Sequence, residues 1–217
     1  MAASRIVFWE VDAQADFMLP GGKLYVPGAE KIIPNIQRLV NAAAEASVFL
    51  VSSGDAHTEN DPEFRRFPPH CLRGSAGARI IPEGLTGDVL MIPNDASQKL
   101  PEDALRHAQV LLQKQTLDVF DNPHTGELVE RLGGEAEYVV FGVVTEYCVL
   151  CAAKGLLARG RKVSIVKDAI ETLKPEDGRR ALDEMQALGA RLITTDEAVA
   201  MVGARAPHAA VPAPGAH

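Results

Sequence analysis

Residues 138–144, Tyr-Val-Val-Phe-Gly-Val-Val, form an unbroken apolar run rich in β-branched side chains. A strand with that pattern must be covered on both faces, the condition of a strand inside a parallel sheet. Residues 147–157 are dense in helix formers and contain no proline, so a helix follows a turn at Thr145-Glu146. Cys148 then falls in the first helical turn, at the carboxyl edge of a strand. Open α/β sheets bind ligands at that edge, and the amino end of a helix favours an anion. The placement predicts a lowered thiol pKa and a nucleophile near neutral pH. Burial as plain packing is the competing role, since free cysteines are among the most buried residues.

The strand-then-helix alternation extends along the chain. Strands are expected at Ile6–Val11, 46–52, Val89–Ile92, 109–113, 162–166 and 191–194, and helices at 30–46, 127–132 and 175–188. Such alternation, with few hairpin signals, builds a mostly parallel, Rossmann-like sheet with helices on both faces: a three-layer α/β/α sandwich. Of the 217 residues, 47% are hydrophobic, enough to give residues 1–203 one domain with a full core. Residues 204–217 are mostly alanine and proline and predict a flexible tail, so His208 and His217 carry no catalytic role.

Charge narrows the partners. A formal net charge of −7 without a basic run argues against nucleic acid and anionic membrane surfaces. No apolar stretch has the length of a membrane span, and residues 1–5 lead into a strand rather than a signal-peptide core, so a cytoplasmic protein is expected. Three cysteines do not make a disulfide framework.

Three further clusters place polar residues where strands end. Asp12 closes the first strand and suits a general base or a loop-capping acid; Asp16, four residues on, suits the capping job. After the second strand, Asp55, His57 and His70, with Glu63 or Asp61 between, offer the carboxylates and imidazoles that hold zinc, iron or manganese. Cys71 reads as packing. Lys114 ends another strand, either as a solvated charge or as a cation beside a thiolate or carboxylate. Topology shifts the balance, because Asp12, Asp55, Lys114 and Cys148 all sit at carboxyl ends and converge on one rim.

With Val11-Asp12-Ala13-Gln14-Ala15-Asp16-Phe17, Pro20-Gly21-Gly22, Asp55-Ala56-His57, Phe67-Pro68-Pro69-His70-Cys71, Lys114 and Gly142-Val143-Val144-Thr145-Glu146-Tyr147-Cys148 in order, the chain resembles the isochorismatase-like cysteine hydrolases, and among them the nicotinamidases. The resemblance spans roughly residues 5–198. It implies a catalytic triad of Asp12, Lys114 and Cys148, and a cis peptide at Val144-Thr145. It also implies an oxyanion hole from the N–H groups of Thr145 and Cys148, and a divalent metal, zinc by expectation with iron or manganese as alternatives, on Asp55, His57, His70 and Glu63. The implied reaction is amide hydrolysis through a thioester, nicotinamide to nicotinate and ammonia, in a homodimer or homotetramer. Phe17, Phe67 and Phe120 are the expected pocket wall.

The chain departs from the nicotinamidase pattern in carrying Phe67 where tryptophan is common. The segment Gln115-Thr116-Leu117-Asp118-Val119-Phe120 after the lysine is also shorter, and Glu10 interrupts an apolar strand. Another amidase, acting on a ureido, carbamoyl or acyclic amide, is the alternative within the family. Outside it, Cys148-Val149-Leu150-Cys151 is formally the C-x-x-C of a redox protein, and a non-catalytic binding protein on the same fold is the third reading.

Overall fold

The structure is a computed structural model that describes residues 5–203. The tail expected at 204–217 lies outside the described residues. In chain order the elements are β1 (Ile6–Val11), a short α1 (Ala15–Met18), α2 (Ile33–Glu45), β2 (Phe49–Asp55), β3 (Val89–Ile92) and β4 (Gln109–Lys114). Then come α3 (Thr125–Leu132), β5 (Glu137–Val143), α4 (Leu150–Ala158), β6 (Lys162–Glu171), α5 (Pro175–Ala187), β7 (Arg191–Ile193) and α6 (Thr195–Gly203).

The seven strands form one sheet in the order β3-β4-β2-β1-β5-β6-β7, and every pairing is parallel. Strand alternation divides the core. Val7, Trp9 and Val11 of β1 pack with Leu128 of α3, Leu156 of α4 and Met185 of α5. Ile6 and Phe8 pack on the other face with Ile36 and Leu39 of α2 and Val202 of α6. Helices therefore cover both faces, as the apolar runs demanded, and each fully buried large apolar side chain contributes about 1.5–3 kcal/mol.

Several boundaries differ from expectation for local reasons. The helix expected at 30–46 begins at Ile33, because Pro34 sits in its first turn and residues Ala29–Lys31 form a separate tight turn. The second strand starts at Phe49 rather than 46, since Ser47 takes a left-handed φ of 51° that turns the chain. β6 runs on to Glu171 through an irregularity in its pairing with β5. The cis peptide joins Val143 to Val144, one bond earlier than the resemblance implies: β5 ends at Val143, and Val144 already belongs to the turn, an end hidden by the valine repeat.

The order in which strands are added reverses between β1 and β5: the chain leaves β1 toward β2 on one side and later fills β5 on the other. A crevice at such a point, outside the carboxyl ends of the strands, is where this architecture binds ligands. Gly142 keeps it narrow, since at its φ of 118° a Cβ would collide with the carbonyl oxygen of Val11.

Candidate active site

Four neighbouring strands, β4, β2, β1 and β5, deliver Lys114, Asp55, Asp12 and Cys148 to this rim. Asp55 and Lys114 are register partners, so their side chains start side by side. Lys114 is buried. Its Nζ lies 2.8 Å from Asp12 Oδ2, against Asp55 Oδ1, and 3.5 Å from Cys148 Sγ. The Asp12 contact is an ion pair, because Oδ2 has no partner in hydrogen-bonding geometry; Oδ1 accepts from Ser53 Oγ at 2.6 Å. Asp12 takes a φ of 50°, uncommon for a residue other than glycine.

Cys148 sits in a π-helical turn, Thr145–Val149, that runs into α4. π-helical turns of this kind recur at functional sites. The expectation of a lowered thiol pKa fails. Burial pushes the Cys148 thiol well above its ordinary value, Lys114 opposes that shift, and the carboxylates of Asp12 and Asp55 add to it. With Asp12 and Asp55 drawing on the same cation, Lys114 does not offset the burial of the resting thiol. Asp12 is likewise raised, by burial and by Asp55 against the pull of Lys114. Burial alone lowers Lys114, yet Asp12, Asp55 and Cys148 together hold it well above the usual lysine value, so it stays a cation. Burial raises Asp55 too, but Lys114 and the two histidines overcome it and keep that acid ionised.

Asp55, His57 and His70 bring one ligand atom each to within 4.8 Å of one another. The Nε2 atoms of both histidines point at Asp55 Oδ2, at 3.5 Å from His57 and 3.4 Å from His70. His70 Nδ1 is 2.8 Å from the Pro68 carbonyl oxygen, which fixes the tautomer with Nε2 free. His57 is fully buried with neither ring nitrogen in hydrogen-bonding geometry, although Asp61 Oδ2 stands 3.0 Å from its Nδ1. Buried orphan nitrogens beside a carboxylate fit a divalent cation. Glu63 lines the cleft next to this group but is not part of it, and Asp61 caps the turn at Pro62–Arg65 by accepting from the Glu63 N–H.

The remaining wall is apolar: Phe17, Leu24, Val26, Phe67, Leu117, Val143, Val144, Tyr147 and Leu173, beside Asp12, Asp55, Glu63, His70 and Cys148. Phe17 and Phe67 line the cleft. Phe120 does not. The short segment after Lys114 turns back through a cap in which Asp118 accepts from the Phe120 N–H, and the Phe120 ring stacks on Trp9 beneath Arg159. Leu117 lines the cleft from that segment.

Asp16 and Cys71 take the structural parts expected of them. Asp16 accepts from the N–H of Lys23 and of Cys71, and burial pushes the Cys71 thiol far up. Cys151 is half-buried, unbridged and outside the cleft lining. The pattern reading missed Ser53 and Gln14. Gln14 accepts from the Asp55 N–H at 2.7 Å and donates to the Asp55 carbonyl at 2.8 Å, which locks the end of β2. A polar run Ser52-Ser53 inside a buried strand was the only signal for the first.

Fold and site together define an α/β protein with a buried acid, lysine and cysteine at the mouth of an apolar cleft. The chain belongs to the isochorismatase family, whose domain model matches residues 7–92 and 91–197. It is 25% identical to the nicotinamidase of Escherichia coli over 206 residues, covering 85% of this chain and 92% of that one. The structure of pyrazinamidase of Pyrococcus horikoshii in complex with zinc superposes with a TM-score of 0.71 at 30% identity, covering 88% of this chain and 99% of that one. N-carbamoylsarcosine amidase from Thermoplasma acidophilum shares the fold, with a TM-score of 0.69, 21% identity and coverage of 88% and 97%. Among the described residues no helix is long and apolar enough to cross a membrane.

Proposed function

We propose that this protein is a cysteine-dependent amide hydrolase of the nicotinamidase type, converting nicotinamide and water to nicotinate and ammonia. The observation that carries the reading is Lys114, buried between Asp12 at 2.8 Å and Cys148 at 3.5 Å where the apolar cleft opens.

In the resting site Cys148 is a thiol, and Asp12, raised by burial, is a base strong enough to take its proton as the sulfur attacks. The sulfur bonds to the amide carbon while the thiol proton passes to Asp12. The N–H groups of Thr145 and Cys148 are assigned to the developing oxyanion. Asp12 then gives its proton to the departing nitrogen, the C–N bond breaks, and ammonia leaves a thioester on Cys148. Water, deprotonated by Asp12, attacks that thioester and releases the acid with the thiol restored. Lys114 keeps one positive charge beside Asp12 and the sulfur throughout, which stabilises whichever of them is anionic.

Asp55, His57 and His70 would hold a divalent ion, zinc by the donor set, with Glu63 a further carboxylate lining the cleft. Such an ion would supply Lewis-acid polarisation and a fixed anchor for a substrate heteroatom. The cleft wall itself favours an uncharged body. No lysine or arginine is among its lining residues, and Asp12, Asp55 and Glu63 face it, so the wall itself offers a carboxylate-bearing amide no counter-charge.

Ammonia release from nicotinamide, pyrazinamide, biuret, ureidoacrylate and maleamate, with metal analysis of the same preparation, tests the reading. Turnover of the two heteroaromatic amides is expected. Preference for ureidoacrylate, biuret or maleamate would move the assignment to another amidase, and ammonia from none would end it.

A further inference from the structure

Glu146 sits in the same turn as Cys148, yet the chemistry above makes no use of it. Its Oε2 accepts from Thr172 Oγ1 at 2.6 Å, and its Oε1 accepts from the backbone N–H of Leu173 at 3.0 Å and of Lys174 at 3.1 Å. One half-buried carboxylate thus gathers three donors from the segment that joins β6 to α5. Bonds of this kind are charge-assisted, and two of them grip main chain, so they fix the path of the segment rather than one rotamer. Thr145 Oγ1 adds a second tie, donating to the Glu171 carbonyl at 2.8 Å. Gly178 of α5 completes the fit, because a Cβ there would crowd the Thr172 side chain. The segment presents Leu173 to the cleft, and Tyr147 lines it from the turn.

We propose that Glu146 is a positioning residue that clamps the nucleophile turn to the Thr172–Lys174 segment. The clamp sets the spacing between the Cys148 sulfur and the Leu173 wall, and so selects for substrates whose non-reacting body is flat and apolar. The inference rests on the amidase reading for its substrate but not for its test.

The test compares alkylation of Cys148 by iodoacetamide and by N-phenyl iodoacetamide in a Cys71→Ala, Cys151→Ser background. In each case sulfur displaces iodide from the methylene carbon, one S–C bond replacing one C–I bond, and the thiol proton leaves to solvent. Glu146→Ala is expected to lower the ratio of the phenyl to the parent rate about tenfold, the scale of losing charge-assisted hydrogen bonds, while the iodoacetamide rate stays within about twofold. Glu146→Gln keeps an acceptor at Oε1 and restores most of the ratio. Leu173→Ala lowers it as Glu146→Ala does, and the double variant is no worse than either. In turnover, KM for an aromatic amide rises with kcat nearly unchanged.

An unchanged ratio in Glu146→Ala overturns the proposal. So does an equal loss with both reagents, which would put Glu146 in support of the sulfur alone, and so do losses that multiply in the double variant. Should Glu146→Ala not fold, an unchanged ratio in Leu173→Ala is decisive against it. If wild type hydrolyses no amide yet the ratio behaves as stated, the amidase reading falls and the clamp stands.

Discussion

Two acids at the carboxyl end of β1, two residues apart, are buried to the same degree and meet different surroundings. Asp12 at the strand end faces Lys114 and accepts from Ser53. Among the described residues Glu10, one step inside the sheet, has only uncharged partners. Ser52 Oγ donates to its Oε2 at 2.7 Å, Gln109 Nε2 donates in turn to Ser52 Oγ at 2.7 Å, and Oε1 has no partner. Burial pushes the Glu10 carboxyl up to about 8, the Ser52 bond pulling down and Asp12 adding to the rise. Burial raises both acids; a cation decides whether the site can carry charge. The rim is an electrostatic device, and the interior network keeps a neutral acid.

Removing that cation is the strongest way to break the contrast. Lys114→Met leaves Asp12 buried without a counter-ion, and loss of one partner from a buried pair costs about 3–5 kcal/mol. Urea denaturation should read that loss together with a fall in kcat of at least about a thousandfold. A variant of wild-type stability would mean that solvent, not Lys114, balances the rim.

Glu10→Gln sharpens the contrast through pH. The folded state keeps a proton on Glu10 up to about pH 8, whereas the unfolded carboxyl, near 4.5, has lost it. Between those values the native state binds more protons, so its stability falls as pH rises, by at most on the order of a few kcal/mol across the window. Urea midpoints at pH 5, 6.5 and 8 should decline in wild type more steeply than in Glu10→Gln, with activity retained in the variant. Parallel declines would remove Glu10 from the account.

Paired serines give the smallest effect. Ser53→Ala removes the hydrogen bond to Asp12 and should lower kcat several-fold, for about 1–2 kcal/mol of interaction with a charged acceptor. Ser52→Ala, its neighbour on the opposite face of β2, should cost stability on a similar scale and leave kcat within about twofold. Equal kcat losses would merge the two networks.

What was legible in the sequence follows from the same physics. Runs such as 138–144 demand two-sided burial, so the parallel sheet and its layers were readable, and with them the carboxyl ends that carry Asp12, Asp55, Lys114 and Cys148. The metal-type group was readable because Asp55 and His57 are neighbours on one strand end. Glu10 was visible only as an interruption, since Ser52 and Gln109 reach it from other strands. The grip of Glu146 spans 26 to 28 residues of sequence, beyond any local pattern. Phe120 was misplaced because loop length, not residue type, decided which side chain of that segment reached the cleft. The thiol was misjudged because a helix start argues for an anion only where burial does not argue against it.

In the proposed reaction the Cys148 sulfur is the atom that bonds to substrate. Enzyme turning over nicotinamide, quenched in acid within the first turnovers and digested for mass spectrometry, should carry the nicotinoyl group on the peptide containing Cys148, and Cys148→Ala should carry none and release no ammonia. Ammonia accumulating from Cys148→Ala at the wild-type rate, or an acyl group found on Cys71 or Cys151 instead, would contradict it.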